Sequence, residues 1–486
     1  MISLALVSSG LVFAQNEEDA LRYSLNYFGG TARNMATAGG LTAMGGDFGN
    51  AAQNPAGLAR FTRSNLSFTP HFEIPTTKST FDGNEHKSSR FTASIGNLSY
   101  VKAYKLDPNK YNNWYSVQIG LGFNRVRSFN DSISYAGYSD SSILHSFIND
   151  AWGTSSAYIY DAFPFTAGLA YDVFAMDPGF NDGEYTTAFQ YGQAFHERAL
   201  WRKGGISEFN LLTLSGNYAN KLLLGVSFNY VRATYSERMR HQETYVDSLN
   251  WLNWIDYSGR LDIKGNGINV RAGAIYMPIP QVRLGLAIET PTAYWMKDYW
   301  TNNMRSGTDE GEKFVDSEYI PTGSYEYKIR TPFKANFSAA YVMKKYGSVG
   351  FEVEYVDYSG SKLKSRKFDS APYSFAAENA QIENIYRSAL NFKVGLEGRI
   401  TKKLYARGGF AYYQTPYTEA SGNNQKGTTF ITGGAGYNFG TVYLDAAYVL
   451  QSTQEEYYAY DPTIPGSRAD FNIKNSKVVF TIGCRF

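Results

Sequence analysis

From about residue 64 to its last residue the chain alternates apolar and polar side chains with a period of two, a pattern few folds can satisfy for so long. In VRLGLAIET, Val282, Leu284, Leu286 and Ile288 share one face, while Arg283, Gly285, Ala287 and Glu289 share the other. LNFKVGLEGRI sets Leu390, Phe392, Val394 and Leu396 against Asn391, Lys393, Gly395, Glu397 and Arg399. INVRAGAIYM and GFEVEYVDY repeat the pattern, with Arg271, Glu352 and Glu354 on the polar side. Successive side chains of a strand point to opposite faces, so each run reads as a strand with one apolar face.

A soluble sandwich and a membrane barrel both meet that condition, and the connections separate them. Strands are predicted at 64–74, 88–105, 113–129, 207–219, 221–236, 261–277, 281–297, 326–343, 348–360, 385–400, 403–415, 428–439, 441–452 and 475–486. The links between them alternate between short turns (AN, PIP, TKK, FG) and long loops (75–87, 130–206, 237–260, 298–325, 361–384, 416–427, 453–474). An even count of fourteen, with short turns at one end and long loops at the other, marks a transmembrane antiparallel β-barrel of the outer membrane of a Gram-negative bacterium. The mean hydropathy of −0.36 does not oppose this, because only every second residue of such a strand faces lipid. Aromatics reach 16%, with 40 Tyr, as strands that belt a membrane interface require. The last strand, SKVVFTIGCRF, places Val478, Phe480, Ile482, Cys484 and the terminal Phe486 on one face, and closure of the barrel removes exposed edges.

Composition excludes several function classes. A net charge of +2 supplies no basic stripe, so no nucleic-acid partner is expected. The single Cys484 rules out an intrachain disulfide or a thiolate cluster. The five histidines (His71, His86, His145, His196, His241) show no HExxH and no i, i+4 pair, so neither a metal site nor a cofactor is expected. His145 and His196 lie among serines and acids without the spacing of a catalytic triad, and no enzyme activity is expected.

Residues 1–14, MISLALVSSGLVFA, read as a signal peptide cut before Gln15. No Lys or Arg precedes its apolar stretch, so the true start of the leader stays open. Residues 15–60 follow, and 61–486 form the barrel. EEDALRYSLNYF suits a short helix with Leu21, Leu25 and Phe28 at helical spacing, after which glycines break regularity repeatedly. Irregular backbone at membrane depth is tolerated only inside protein or along a watery cavity, so 15–60 is expected as a plug, or hatch, in the lumen. The polar-face charges Arg271, Arg283, Glu289, Glu352, Glu354, Lys393, Glu397, Arg399 and Arg407 are the candidates to hold it. Each also fits a plain solvated wall. In the longest loop, 130–206, SSILHSFINDAW places Ile143, Leu144, Phe147, Ile148 and Trp152 on one helical face. That face either packs the loop upon itself or offers a hydrophobic capture site at the cell surface.

The hatch, the strand order and the C-terminal strand together resemble the FadL family of outer-membrane transporters for long-chain fatty acids and other hydrophobic compounds. The Asn54-Pro55-Ala56 tripeptide, followed by Gly57-Leu58, matches the signature of that family's hatch. IPQVRLGLAIETP, RTPFKANFSAAYV, LYARGGFAYYQTPY and FITGGAGYNFGTVYLDAAYVLQSTQ also look like family strands. The resemblance implies passive uptake: a hydrophobic small molecule is caught at the surface, passed to a pocket beside the hatch, and released sideways through a kinked third strand. Here that strand carries QIGLGFNRV, so Gly120 and Gly122 are the candidates for the kink, and Gln15-Asn16 for a gate. Outer-membrane lipid and a hydrophobic ligand are the expected partners. The chain departs from the family in its largest loop, which follows strand three, and in the charged loop 298–325; no acyl-chain site or carboxylate reader is evident. The alternative is a FadL-like barrel serving as a structural subunit, with protein partners, of a larger outer-membrane secretion, insertion or uptake complex.

Overall fold

The computed structural model describes residues 17–247, 249–366, 373–423 and 425–486. The leader expected at 1–14 and the Gln15-Asn16 gate lie outside the described residues. Fourteen strand positions form a closed antiparallel barrel: β1 Asn65–Phe81, β2 Thr92–Lys105, β3 Trp114–Ser128, β4 Ala194–Tyr218, β5 Leu222–Tyr245, β6 Leu252–Ile279, β7 Val282–Glu289 and Ala293–Thr308, β8 Thr322–Arg330 and Lys334–Met343, β9 Gly347–Asp357 and Lys362–Ser365, β10 Ser388–Arg399, β11 Leu404–Tyr413, β12 Thr428–Asn438, β13 Val442–Tyr458 and β14 Arg468–Arg485. Each pairs with its sequence neighbour, and β14 closes on β1 from Asn65↔Arg485 to Thr80↔Asp470. The tight turn between β4 and β5 puts Ala219 and Asn220 both at φ 54°, a mirror-image turn whose twist suits the flanking strands. The outer wall carries exposed Leu, Ile, Phe and Tyr side chains, among them Leu286, Ile268, Phe337, Leu396, Ile431 and Ile482. Every backbone group of a closed ring finds a partner, so this apolar exterior can stand in lipid.

Two differences from the expected strands have physical causes. The runs expected as single strands at 281–297 and 326–343 are each interrupted, at 290–292 and 331–333, where Pro291 and Pro332 lack the N–H that the ladder needs. Beyond the breaks β7 and β8 run on to Thr308 and Thr322, so much of the expected loop 298–325 is strand. Likewise β4, β5 and β6 reach 25, 24 and 28 residues, far more than the ~9–11 that cross a bilayer. Their upper parts stand above the membrane. There β4 pairs with Asp131–Ser139, and a cap grows on the rim from helix Ile143–Ala151, short helices Ile159–Ala162 and Ala167–Asp172, and the hairpin Met176–Pro178 with Tyr185–Thr187. Ile143, Leu144, Phe147, Ile159, Leu169 and Val173 form its apolar centre with Leu252, Ile255 and Tyr257 of β6.

The N-terminal segment is irregular: α1 Glu17–Arg22, α2 Ala32–Ala36, turn Thr42–Met44, α3 Phe48–Ala51 and turn Pro55–Arg60. Helix α1 ends at Arg22, so Leu25 and Phe28 lie beyond it, Leu25 in the closing turn, where its N–H donates to the Leu21 carbonyl. Helix α2 touches β11 to β14, Thr42–Met44 touches β7 to β9, and Pro55–Arg60 touches β3 to β6. A segment that reaches strands all around a ring lies within it.

Candidate functional site

Polar groups of the wall meet the N-terminal segment from several sides. Asn54 caps its own turn, its side-chain oxygen accepting from the Ala56 N–H at 3.1 Å, while its NH2 donates to the carbonyls of Ala274 in β6 and Leu286 in β7 at 3.3 and 3.2 Å. The Ser215 hydroxyl donates to the Pro55 carbonyl. Gly225 and Gly273 let this corner approach, since a Cβ on either would strike Pro55 or Asn54. Arg271 donates to the Ala52 carbonyl and is itself held by Glu208 at 2.9 Å and by Glu289. Arg283 donates to the Met44 carbonyl at 2.6 Å. Arg33 forks onto Glu397 at 2.8 and 2.9 Å, and Glu397 also takes Arg407 at 2.8 Å.

The nine charges singled out in the sequence therefore divide. Arg271, Arg283 and Glu397 bind the segment directly; Glu289 and Arg407 steady those that do. Lys393 pairs with Glu352 at 2.8 Å and Glu354 at 3.7 Å within the wall, and Glu352 also meets the segment through the Thr42 hydroxyl. Arg399 does not face the segment: it donates to the carbonyls of Thr401 and Lys402 in the exposed turn after β10. Arg33 and Glu208 find their partners 364 and 63 positions away, and no local pattern marks either residue.

At Gly120 and Gly122 the wall is hydrogen-bonded on both sides. Val101↔Gly120 and Ser99↔Gly122 join β2 without a shift, and one extra residue of β4 bulges opposite. The space left by the missing side chains is filled from inside: a Cβ on Gly120 would strike Leu58, and one on Gly122 the ring of Phe48.

Above the segment lies a cavity of about 740 Å³. Leu25, Phe28, Val126, Phe129, Phe430 and Val449 give it apolar surface, and Arg125, Arg127 and Arg198 reach it with no ion pair among the described residues. Arg127 donates to the carbonyls of Arg22 and Leu25 at 2.8 and 2.9 Å, and Arg125 to that of Gly204 at 2.8 Å. Arg198 is 3% exposed, lies 5.3 Å from the Tyr457 ring, and has Nε and Nη1 without a partner. Carboxylates line the same cavity, among them Glu73, Glu237 and Glu455, and RVR at 125–127, at the end of β3, is the sequence signal for two of its arginines.

The five residues proposed for surface capture do share a helical face, but it turns inward. Ile143, Leu144 and Phe147 are fully buried in the cap and Ile148 packs against its core; Trp152 alone is exposed, at 60%. The packed-loop reading of that helix accounts for these four. Beneath its N-terminus sits a buried cluster that the spacing of the histidines did not reveal. His196 and Arg198 of β4 stand opposite Glu243 and His241 of β5, above the membrane. Glu243 accepts from the Ile143 N–H at 2.8 Å, His241 at 2.9 Å, Tyr245 at 3.0 Å and Ser142. Three possible metal ligands thus converge, His196, His241 and Glu243. The carboxylate is already saturated by donors and the Arg198 cation lies alongside, so the cluster suits a neutralised buried anchor for the cap rather than a dication. Burial pushes the His241 imidazole down to about 4. Burial opposes ionisation of Glu243, yet the two imidazoles and the Ile143 N–H prevail and hold its carboxyl at about 2.

No protein-family model matches the chain, and no curated protein does. Solved structures do. A FadL homologue from Pseudomonas aeruginosa aligns over 95% of this chain and 99% of its own at a TM-score of 0.56 and 14% identity. The toluene transporter TodX of Pseudomonas putida aligns over 95% and 100% at 0.52 and 15% identity. At such identity the likeness is one of fold, and the fold is that of the FadL-type outer-membrane barrel.

Proposed function

We propose that the protein is a passive importer of hydrophobic small molecules, and that the cavity bordered by α1 and the upper barrel wall holds the molecule in transit. The observation that carries this is the cavity's lining, in which apolar side chains adjoin the guanidinium groups of Arg125, Arg127 and Arg198, none of which has a direct ion pair among the described residues, while Glu73, Glu237 and Glu455 line the same cavity. Buried Arg198 keeps two N–H donors, on Nε and Nη1, without an acceptor, which is costly, and a ligand with an acidic head on an apolar body would relieve that cost. The similarity to barrels described as a FadL homologue and a toluene transporter supports the same reading.

The N-terminal segment is the gate in this proposal. Its Phe48 and Leu58 stop the side-chain gap at Gly120 and Gly122, so withdrawal of the segment both opens the floor of the cavity and uncovers that gap for lateral release. The test is equilibrium binding of a fluorescent polyene fatty acid, and of the matching alcohol, to the full chain in detergent. Saturable binding of both is expected, with Arg198→Leu weakening the acid by about tenfold, as loss of one charge-assisted contact would, and sparing the alcohol. Absence of saturable binding by either probe would overturn the proposal.

A further inference from the structure

We infer that the outer face of β6 to β9, just above the apolar belt, is a binding site for the phosphates of a phosphorylated lipid headgroup in the outer leaflet. The argument starts from register. Lys264 of β6 stands directly opposite Lys297 of β7; Lys328 and Arg330 of β8 stand directly opposite Lys364 and Lys362 of β9. Side chains directly opposite on one face lie ~4.5–5.5 Å apart at Cβ, and like charges so placed repel. Three such pairs on neighbouring strands form a patch that the described residues neutralise only in part. Glu326 serves Lys297 and Arg366, and Glu383 serves Lys362, but Lys264, Lys328, Arg330 and Lys364 have no ion pair among the described residues. An anion from outside is the missing partner.

Height and asymmetry identify the source. Trp295 of β7 lies on the same rung as Lys328, directly opposite it, and is 48% exposed; outward Ile268, Ile288 and Phe333 follow below. An exposed Trp bordering an apolar band marks the level of the lipid headgroups. Basic clusters at that level take anionic headgroups, each Lys or Arg adding its share of attraction. Across the barrel the corresponding rungs do not repeat the arrangement: Lys474 of β14 faces Ser452 and Thr76, and Lys78 is paired with Glu85 at 2.6 Å. The patch also spans the upper halves of β7 and β8, above their breaks at Pro291 and Pro332, where a bound phosphate would bridge three strands.

The experiment uses the full chain in phosphatidylcholine nanodiscs, titrated with a diphosphorylated glucosamine-based lipid (lipid A) and followed by Tm and by native mass spectrometry of the adduct. The wild type should gain Tm and a 1:1 adduct, with no gain from the dephosphorylated lipid or from inorganic phosphate. Lys328→Gln/Arg330→Gln/Lys364→Gln should bind about 100-fold more weakly, and Lys364→Gln alone about fivefold. The opposite-wall double variant Lys78→Gln/Lys474→Gln should bind as the wild type does. Affinity of the triple variant within twofold of wild type overturns the site, and so does equal binding of the dephosphorylated lipid. An equal Tm gain from inorganic phosphate would reassign it to free anion. Should the triple variant fail to fold, the single variant decides on the same criteria.

Discussion

Replacing Arg33 by Met removes the charged fork that ties α2 to the wall while keeping most of the side-chain volume. Two charge-assisted bonds at 2.8 and 2.9 Å are lost, and each such bond contributes roughly 1.5–3 kcal/mol net. The sum is not the cost. Glu397 keeps Arg407 at 2.8 Å, and the pair is 20% and 11% exposed, so lumen water recovers part of the loss. The remainder is about 2–4 kcal/mol, which corresponds to a rise of roughly 30- to 900-fold in the population with α2 detached. Amide hydrogen exchange of residues 30–60, measured on the full chain in detergent under conditions where closing outruns exchange, reads that population directly. Arg399→Met serves as the control, since its side chain bonds only to carbonyls of the neighbouring turn. Exchange in the Arg33 variant within twofold of the wild type, or an equal rise in the Arg399 control, would refute the latch.

Gly122→Leu forces a side chain into the space of Phe48 and should destabilise seating of the segment by about 1–3 kcal/mol, seen as larger conductance in planar bilayers; unchanged conductance contradicts the close fit. Phe147→Ala should cost the cap about 3–5 kcal/mol in local exchange, whereas Trp152→Ala should change it by less than about 0.5 kcal/mol. Acid should loosen the cap. An unfolded His binds its proton near pH 6.5 and buried His241 only near pH 4, so its contribution is present above about 6.5 and is lost as pH falls toward 4; the Glu243 contribution goes between about 4.5 and 2. Cap exchange, corrected for intrinsic rate, should therefore rise from pH 7.5 to pH 5, with a shallower rise in His241→Asn.

The sequence made the barrel legible because its outward face must be apolar on every strand, and period two survives any change of loop. Strand ends were less legible. Above the membrane β4 to β6 no longer alternate against lipid, so RHQETY carries no apolar face although it is strand, and the Ile255 and Tyr257 face of β6 turns to the cap instead. The breaks in β7 and β8 had visible signals in Pro291 and Pro332, each within a segment that otherwise reads as one run. For the site, the parity of a strand sufficed to place Arg271, Arg283 and Glu397 on the inner face. Partners could not be read, since Arg33–Glu397 depends on where the N-terminal segment seats and Arg271–Glu208 on the register of β4, β5 and β6. The cap helix shows the same limit: period 3.6 identified the apolar face of Ile143–Ala151 but not what covers it. HQE at 241–243 put two ligating groups on one strand face, and only the pairing of β4 with β5 brought His196 and Arg198 opposite.

The central claim is that a hydrophobic molecule occupies the cavity bordered by α1 and the upper barrel wall. Purification from native membranes in mild detergent, with mass spectrometry of bound small molecules and of co-eluting proteins, tests it most directly. The account predicts a lipophile bound to the wild type at near one per chain, retained by Lys78→Gln/Lys474→Gln and depleted by Arg198→Leu. A barrel that carries no lipophile but elutes with stoichiometric protein partners would contradict it and favour a structural subunit.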